Sequence, residues 1–140
     1  MTGSGARSRC TVLTGAVVLG LTVALVGCAS LGPATPVAVS DLGSVAGTWK
    51  GVVYGPGSEP EYVELTIGED GSYNVVSRQK IGESRGKGTI VVRDGRLLLE
   101  GPKGQGVGTV VTNAAGDRVM KIEATLSDNS TLSAELSPSR

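Results

Sequence analysis

The amino-acid sequence predicts an all-β domain, most simply a small eight-stranded antiparallel up-and-down barrel. Three observations support this prediction. From residue 45 onward, apolar residues recur at every second position, which is the period of a strand with one buried face. Short clusters of Gly, Asp, Asn and Ser separate these stretches at the spacing of tight turns. The 140 residues include 22 Gly and show almost no helical spacing of apolar residues.

Eight stretches carry the strand pattern, and a short turn joins each to the next. In the second stretch, Val63, Leu65 and Ile67 share one face. Asp94-Gly95 is a two-residue hairpin signal, because both central residues of a type I′ turn need a positive φ. Successive hairpins make a meander, and closing eight strands into a barrel removes the sheet edges. An open sheet or a small β-sandwich is the alternative. The predicted strands are 47–54, 61–67, 72–78, 87–92, 97–100, 106–112, 119–126 and 132–136.

Residues 1–27 have the organisation of a signal peptide. Arg7 and Arg9 are the only charged residues before Asp41, and they precede the uncharged stretch 11–27. This stretch is short for a membrane-spanning helix, which needs about 20 apolar residues. A basic region, a short apolar core and small residues at its end are typical of a secretory signal peptide. A single-pass membrane anchor is the alternative.

Leu25-Val26-Gly27-Cys28 resembles the lipobox of bacterial lipoproteins. The resemblance implies that the Cys28 sulfur receives a diacylglycerol, that a peptidase cuts before Cys28, and that membrane lipid is a partner of the mature protein. Ala29 follows, where an Asp commonly retains a lipoprotein in the inner membrane. The resemblance therefore implies the periplasmic face of the outer membrane, or the outer face of the membrane in a host with only one. Cys10 leaves with the signal peptide, so the mature domain is expected to fold without a disulfide.

Residues 28–44 are predicted to be the lipidated cysteine and a flexible tether. The stretch 29–44 is rich in Ala, Pro, Ser and Gly and has one charged residue. Such a composition is typical of a linker, and as a flexible coil it would span about 20–25 Å. The folded domain is therefore predicted to cover residues 45–140.

Gly47-Thr48-Trp49 opens the first predicted strand and resembles the Gly-x-Trp motif of the calycin group, which includes lipocalins, fatty-acid-binding proteins and avidins. In those families the Trp closes one end of the barrel, and an Arg from a late strand often lies across it. Arg118 is the candidate for that Arg. The resemblance implies a lipocalin-like barrel that binds a small apolar ligand. The candidate ligand-binding residues are Trp49, Tyr73, Ala124 and Arg118. The alternative for Trp49 is an ordinary core aromatic.

No catalytic, metal or cofactor site is predicted. Residues 82–86 read Gly-Glu-Ser-Arg-Gly, as in a nucleophile elbow, but the chain has no His to accept the Ser proton. A polar loop is predicted there instead. Residues 104–108 carry three glycines but lead into a strand, whereas a phosphate loop needs a helix N-terminus. A bulge or close packing inside the barrel is predicted for them. Carboxylates would be the remaining metal ligands.

The charge balance bears on the partners of the domain. After Arg9 the chain has eleven basic and thirteen acidic residues, which argues against nucleic acid. The predicted function is that of a lipid-anchored envelope protein whose barrel binds a small apolar ligand. The alternative is a lipid-anchored protein whose solid barrel binds another envelope protein, as inhibitor-like lipoproteins do. An enzyme is not predicted. A basic cluster around the third loop is either a solvated loop or a contact for anionic lipid; it consists of Arg78, Lys80, Arg85 and Lys87.

Overall fold

Nine strands form one antiparallel sheet in the computed structural model, which describes residues 32–140. The predicted signal peptide and Cys28 lie outside these residues. Within residues 32–140, no helix has the length and apolar character needed to cross a membrane. The strands are β1 (Thr35–Val37), β2 (Gly47–Tyr54), β3 (Glu61–Ile67), β4 (Ser72–Gln79), β5 (Gly82–Arg93), β6 (Arg96–Gly101), β7 (Gly104–Thr112), β8 (Arg118–Leu126) and β9 (Thr131–Pro138), with a 3-10 turn at Leu42–Ser44.

Strands β2 to β9 form a closed up-and-down barrel. Each pairs with the next in chain order, and β2 also pairs with β9, placing Trp49 opposite Pro138 and Val53 opposite Ala134. This last pairing closes the sheet, because both neighbours of β2 and of β9 are then occupied. The prediction of an eight-stranded barrel is confirmed, and the open sheet and the sandwich are excluded.

The segment from Thr35 to Ser44 differs from the flexible tether that the sequence predicts. β1 pairs with the last residues of β7, beyond Gly108, where the pairing of β7 with β6 stops, and Pro36 lies opposite Val111. Pro36 is tolerated there because β1 is an edge strand. Val39 then donates its backbone N–H to the Gly95 carbonyl at 2.9 Å, and its side chain is only 4% exposed. The folded unit therefore begins about ten residues earlier than predicted.

The predicted polar loop at residues 82–86 is also wrong, because these residues belong to β5. They pair with β4 from Gly82 opposite Gln79 to Gly86 opposite Val75. The two strands form a hairpin that turns at residues 80–81, with Ile81 96% exposed at its tip. Most of this extension of β5 is exposed, so it lacks the apolar alternation that marks a half-buried strand.

The two ends of the barrel differ, and we call them the closed end and the open end. The N-terminal segment crosses the closed end, where Trp49, Leu97 and Met120 are almost fully buried. The predicted type I′ turn is confirmed there, with φ of 51° at Asp94 and 76° at Gly95. The loops at the closed end are 68–71, 94–95 and 113–117, and those at the open end are 55–60, 80–81, 102–103 and 127–130.

Glycine is required where the barrel closes between β2 and β9. A Cβ at Gly51 would overlap the carbonyl oxygen of Glu135 on β9, which is backbone and cannot move aside. The two strands can approach this closely because Gly51 has no side chain.

Candidate ligand-binding cavity

The open half of the barrel encloses a cavity of about 490 Å³. Its volume lies within the range of about 300–1,000 Å³ that small-molecule sites occupy. Alternate side chains of each strand point into the barrel, and those that form the deeper wall of the cavity are apolar. These include Val63, Leu65, Val75, Leu99, Ile122 and Leu136.

Small residues on β7, β8 and β9 leave this space unfilled. Ala124 and Ala134 border the cavity from β8 and β9, and Gly106 borders it from β7. A Cβ at Gly106 would lie 3.0 Å from the Ala124 Cβ, and one at Gly108 would lie 3.3 Å from the Leu97 Cβ. The close packing predicted for the glycines of residues 104–108 is therefore confirmed, and Ala124 borders the cavity.

The phenol ring of Tyr73, a residue of β4, lies against the part of the barrel wall that β5 and β6 form. A Cβ at Gly88 would lie 2.7 Å from the ring, and one at Gly101 would lie 2.7 Å from the hydroxyl oxygen, so the two glycines make room for the ring. Burial raises the pKa of Tyr73 above its ordinary value of 10.0. The phenol is therefore neutral at physiological pH and can donate or accept a hydrogen bond inside a largely apolar cavity.

Polar side chains occupy inward positions near the mouth. Glu61 on β3 accepts hydrogen bonds from the Ser77 hydroxyl at 2.6 Å and from the Gln79 amide at 2.8 Å, and all three residues border the cavity. None of the three was predicted from the sequence as a site residue. Their positions in the strands could have identified them. Glu61 lies two residues before the inward-facing Val63, and Ser77 and Gln79 lie an even number of residues after the inward-facing Tyr73.

Lys103 lies on the other side of the mouth, in the turn between β6 and β7. Its ammonium group donates to the Arg85 carbonyl at 2.7 Å and lies 3.5 Å from the Ser84 hydroxyl. β6 pairs with β5 only from Thr89 onward, so Lys103 satisfies a carbonyl that has no ladder partner on that side. Ser84 lies within β5, not at a strand-to-helix turn, so the geometry of a nucleophile elbow is absent at this serine.

Trp49 and Arg118 meet at the closed end, away from the cavity. The guanidinium carbon of Arg118 lies 5.8 Å from the centroid of the Trp49 ring, a cation–π distance. Trp49 is 3% exposed and donates its indole N–H to the Val45 carbonyl at 2.8 Å, while Arg118 donates to the Ser44 carbonyl at 2.9 Å. The predicted pairing of Arg118 with Trp49 is therefore present. Neither residue borders the cavity, in contrast to Tyr73 and Ala124.

The basic cluster around the β4–β5 hairpin is largely paired with carboxylates. Lys80 lies 2.6 Å from Glu59, and Arg85 and Arg78 lie 2.7 Å and 3.9 Å from Glu83. These exposed pairs reduce the positive potential at the mouth. Among residues 32–140, no group of three or more His, Cys, Asp or Glu side chains is arranged to hold a metal ion.

Comparison with known proteins gives no family for this chain. No model of a protein family matches it, and no curated protein matches it. Among solved structures, the chain is similar to one described as a redesigned β-barrel, with a TM-score of 0.43 and 15% sequence identity over 74% of this chain and 99% of that chain.

Proposed function

We propose that this chain is a lipid-anchored envelope protein whose lipocalin-like barrel binds a small, largely apolar molecule. The observation that carries the proposal is the apolar cavity of about 490 Å³, which is open at one end of an otherwise packed barrel. An eight-stranded barrel is just wide enough to be filled by side chains or to hold one small ligand. The small residues of β7, β8 and β9 favour the second outcome here.

The distribution of polar groups narrows the class of ligand. The deep wall is aliphatic, whereas Glu61, Gln79 and Lys103 lie at the mouth. A ligand with an apolar body and one polar end matches this gradient, because its polar end stays hydrated or meets these side chains. Tyr73 adds one hydrogen-bonding group inside the cavity, suited to a carbonyl, hydroxyl or ether oxygen of the ligand.

The anchor is proposed from the lipobox at residues 25–28. Acyl chains on Cys28 would hold the protein to the membrane, since each buried methylene contributes about 0.8 kcal/mol and two or more chains give stable attachment. In a host with two membranes, Ala29 after the cysteine supports the periplasmic face of the outer membrane. We propose a binding protein, not an enzyme, because the chain has no His and the mouth carboxylate of Glu61 is already hydrogen-bonded by neighbouring side chains.

The test is uptake of an apolar probe by the mature chain, residues 28–140, with Cys28→Ser to keep it in solution. Fluorescence of N-phenyl-1-naphthylamine should rise on binding to this protein. Ala124→Phe should abolish the rise with the circular dichroism spectrum unchanged, because the new ring occupies the cavity. Thr125→Phe is the matched control, since Thr125 is the exposed neighbour on β8 and its ring would point outward. Equal uptake by the two variants would exclude the cavity as the binding site.

A second function, binding of another envelope protein, is favoured by the exposed apolar side chains. Ile81 at the hairpin tip is 96% exposed and Tyr62 on β3 is 74% exposed. Tyrosine is enriched in protein interfaces. Cross-linking in intact cells separates the two functions: Ile81→Ser with Tyr62→Ser should remove a cross-linked partner, and Ala124→Phe should not.

A further inference from the structure

We propose that the barrel is held with its closed end toward the anchoring membrane and its mouth toward the aqueous compartment. The ligand then enters and leaves from the aqueous side, not by lateral transfer from the lipid that holds the anchor. The proposal rests on the lipid attachment at Cys28 proposed above. It follows from the end of the barrel at which the N-terminal segment joins the fold.

The chain joins the barrel at its closed end. β1 pairs with the last residues of β7, so that Thr35 lies opposite Thr112, directly before the closed-end loop 113–117. The loops that surround the mouth lie at the opposite ends of the strands. Any linker that precedes Thr35 therefore reaches the barrel on the side away from the mouth.

The N-terminal segment is fastened across the closed end by several contacts. Val39 is buried and donates its backbone N–H to the Gly95 carbonyl at 2.9 Å, and Arg118 donates to the Ser44 carbonyl at 2.9 Å. Releasing the segment would expose Val39 and Val45 and leave these polar groups without their partners. The linker between lipid and barrel is thus the stretch between Cys28 and Thr35.

Chain reach decides between the two orientations. Seven Cα–Cα steps from Cys28 to Thr35 span about 25 Å at full extension, and about 15 Å as a flexible coil. The eight steps of β7 rise about 26 Å along the strand, which is about 20 Å along the axis at the usual barrel tilt. Placing the mouth at the membrane would require a nearly extended linker running up the outer wall. Placing the closed end there requires no extension.

Attraction of the basic cluster to anionic lipid is the force that opposes this orientation. Three of its cations, Arg78, Lys80 and Arg85, are paired with Glu59 or Glu83. Salt screens the remaining attraction over a distance of about 8 Å at physiological ionic strength. The mouth is farther than this from the membrane when the closed end faces it, so we expect the same orientation on neutral and on anionic lipid.

Orientation is measured with the acylated mature protein, residues 28–140, purified from a bacterial host and placed in vesicles. The acylated chain has no free thiol, so a single cysteine can carry a fluorescent nitrobenzoxadiazole probe. Ala114→Cys places it at the closed end and Ser58→Cys at the mouth, both in exposed loops. Phosphatidylcholine with a spin-labelled headgroup, alone or with phosphatidylglycerol, serves as the quencher.

We expect several-fold stronger quenching of the Ala114 probe than of the Ser58 probe on both lipid compositions. Equal quenching, or stronger quenching at Ser58, in a chain whose mass confirms acylation would overturn the orientation and leave the anchor in place. A chain whose mass shows no acyl groups would overturn the anchor and the orientation with it. Binding of N-phenyl-1-naphthylamine by the unlabelled Cys28→Ser chain in solution, without vesicles, reports separately on the cavity.

Discussion

The closed and open ends of this barrel are built from the same strands and differ in side-chain volume. At the closed end, Trp49, Leu97 and Met120 are almost fully buried in the hydrophobic core. At the open end, the corresponding inward positions hold residues such as Gly106, Ala124 and Ala134, and a cavity remains. The alternation of apolar residues is common to both ends. It therefore decides that a barrel forms, and residue size along each strand decides which half of the barrel is solid.

The comparison also separates stability from binding. Close-packed interiors lose stability with every methylene removed, whereas a preformed cavity already lacks those contacts. We therefore expect substitutions at the closed end to change the free energy of unfolding. Substitutions at the open end should change ligand uptake.

The largest effect is expected from Trp49→Ala. Loss of the indole removes the packing at the closed end and leaves the Val45 carbonyl without its donor. We expect a loss of about 3–5 kcal/mol in the free energy of unfolding, measured by urea denaturation. Tyr62→Ala is the control, because Tyr62 is a 74%-exposed aromatic. Its loss in the free energy of unfolding should be no more than about 0.5 kcal/mol, as is usual for surface substitutions. Similar costs for both variants would mean that the closed end is not the stabilising half.

The second largest loss of stability is expected where the pairing of β2 with β9 closes the barrel. Gly51→Ala places a methyl group against the backbone of β9 at Glu135. We expect a loss of about 1–3 kcal/mol and a weaker β2–β9 pairing, seen as faster amide hydrogen exchange along β2. Gly55→Ala is the matched control, since the nearest atom to its Cβ would be the Ser58 side-chain oxygen, which can rotate away. Unchanged exchange in Gly51→Ala would contradict the close approach.

A smaller effect is expected at the edge of the closed end. Arg118→Ala removes the cation over Trp49 and the hydrogen bond to the Ser44 carbonyl. We expect a loss of about 1–2 kcal/mol together with a shift in Trp49 fluorescence. Lys121→Ala on the same strand removes only an exposed ion pair with Glu135 and should cost little. If the two variants were equally stable, the Arg118 contacts would contribute nothing measurable.

The smallest effect concerns the open end and its pH dependence. Burial raises the pKa of Tyr73 above 10.0 in the folded protein, so the unfolded chain loses this proton at a lower pH than the folded chain does. The resulting stability is present below pH 10.0 and is lost as the pH rises through the folded pKa. Tyr73→Phe should reduce the fall in stability between pH 9 and pH 11, measured by urea denaturation at each pH.

A bound apolar probe should raise the pKa of Tyr73 further, because it excludes water from the phenol. An ultraviolet titration that is the same with and without the probe would place the ligand elsewhere.

Most of the fold was predictable because one physical signal, alternation, marks every strand with a buried face. The signal fails where that condition fails. The start of β5 extends beyond the core, so its Gly-Glu-Ser-Arg-Gly sequence resembles a loop. β1 has three residues and contains Pro36, and its partner β7 lies more than seventy residues away along the chain. Local composition alone could not distinguish it from a linker.

The candidate site was predictable in part for a related reason. Tyr73 and Ala124 are inward residues of strands that alternate clearly, and both border the cavity. Glu61, Ser77 and Gln79 also point inward, but a polar side chain on a strand is ordinarily assigned to the solvent face. Parity carried along the strand from Val63 or Val75 would have placed them correctly. Trp49 and Arg118 were paired by resemblance, and only the three-dimensional arrangement separates their end of the barrel from the cavity.

The pairing of β2 with β9 has a consequence for how the protein is made. Trp49 lies opposite Pro138, so closing the barrel joins residues about 90 positions apart, at an entropic cost of about 4 kcal/mol. The hairpins from β3 to β8 are local and can form early, whereas closure waits until the last strand has been synthesised. Barrels dominated by such long-range pairing fold in milliseconds to seconds. A chain that stops before Thr131 would therefore retain its hairpins but leave the edges of β2 and β8 exposed, and such edges are sites of aggregation.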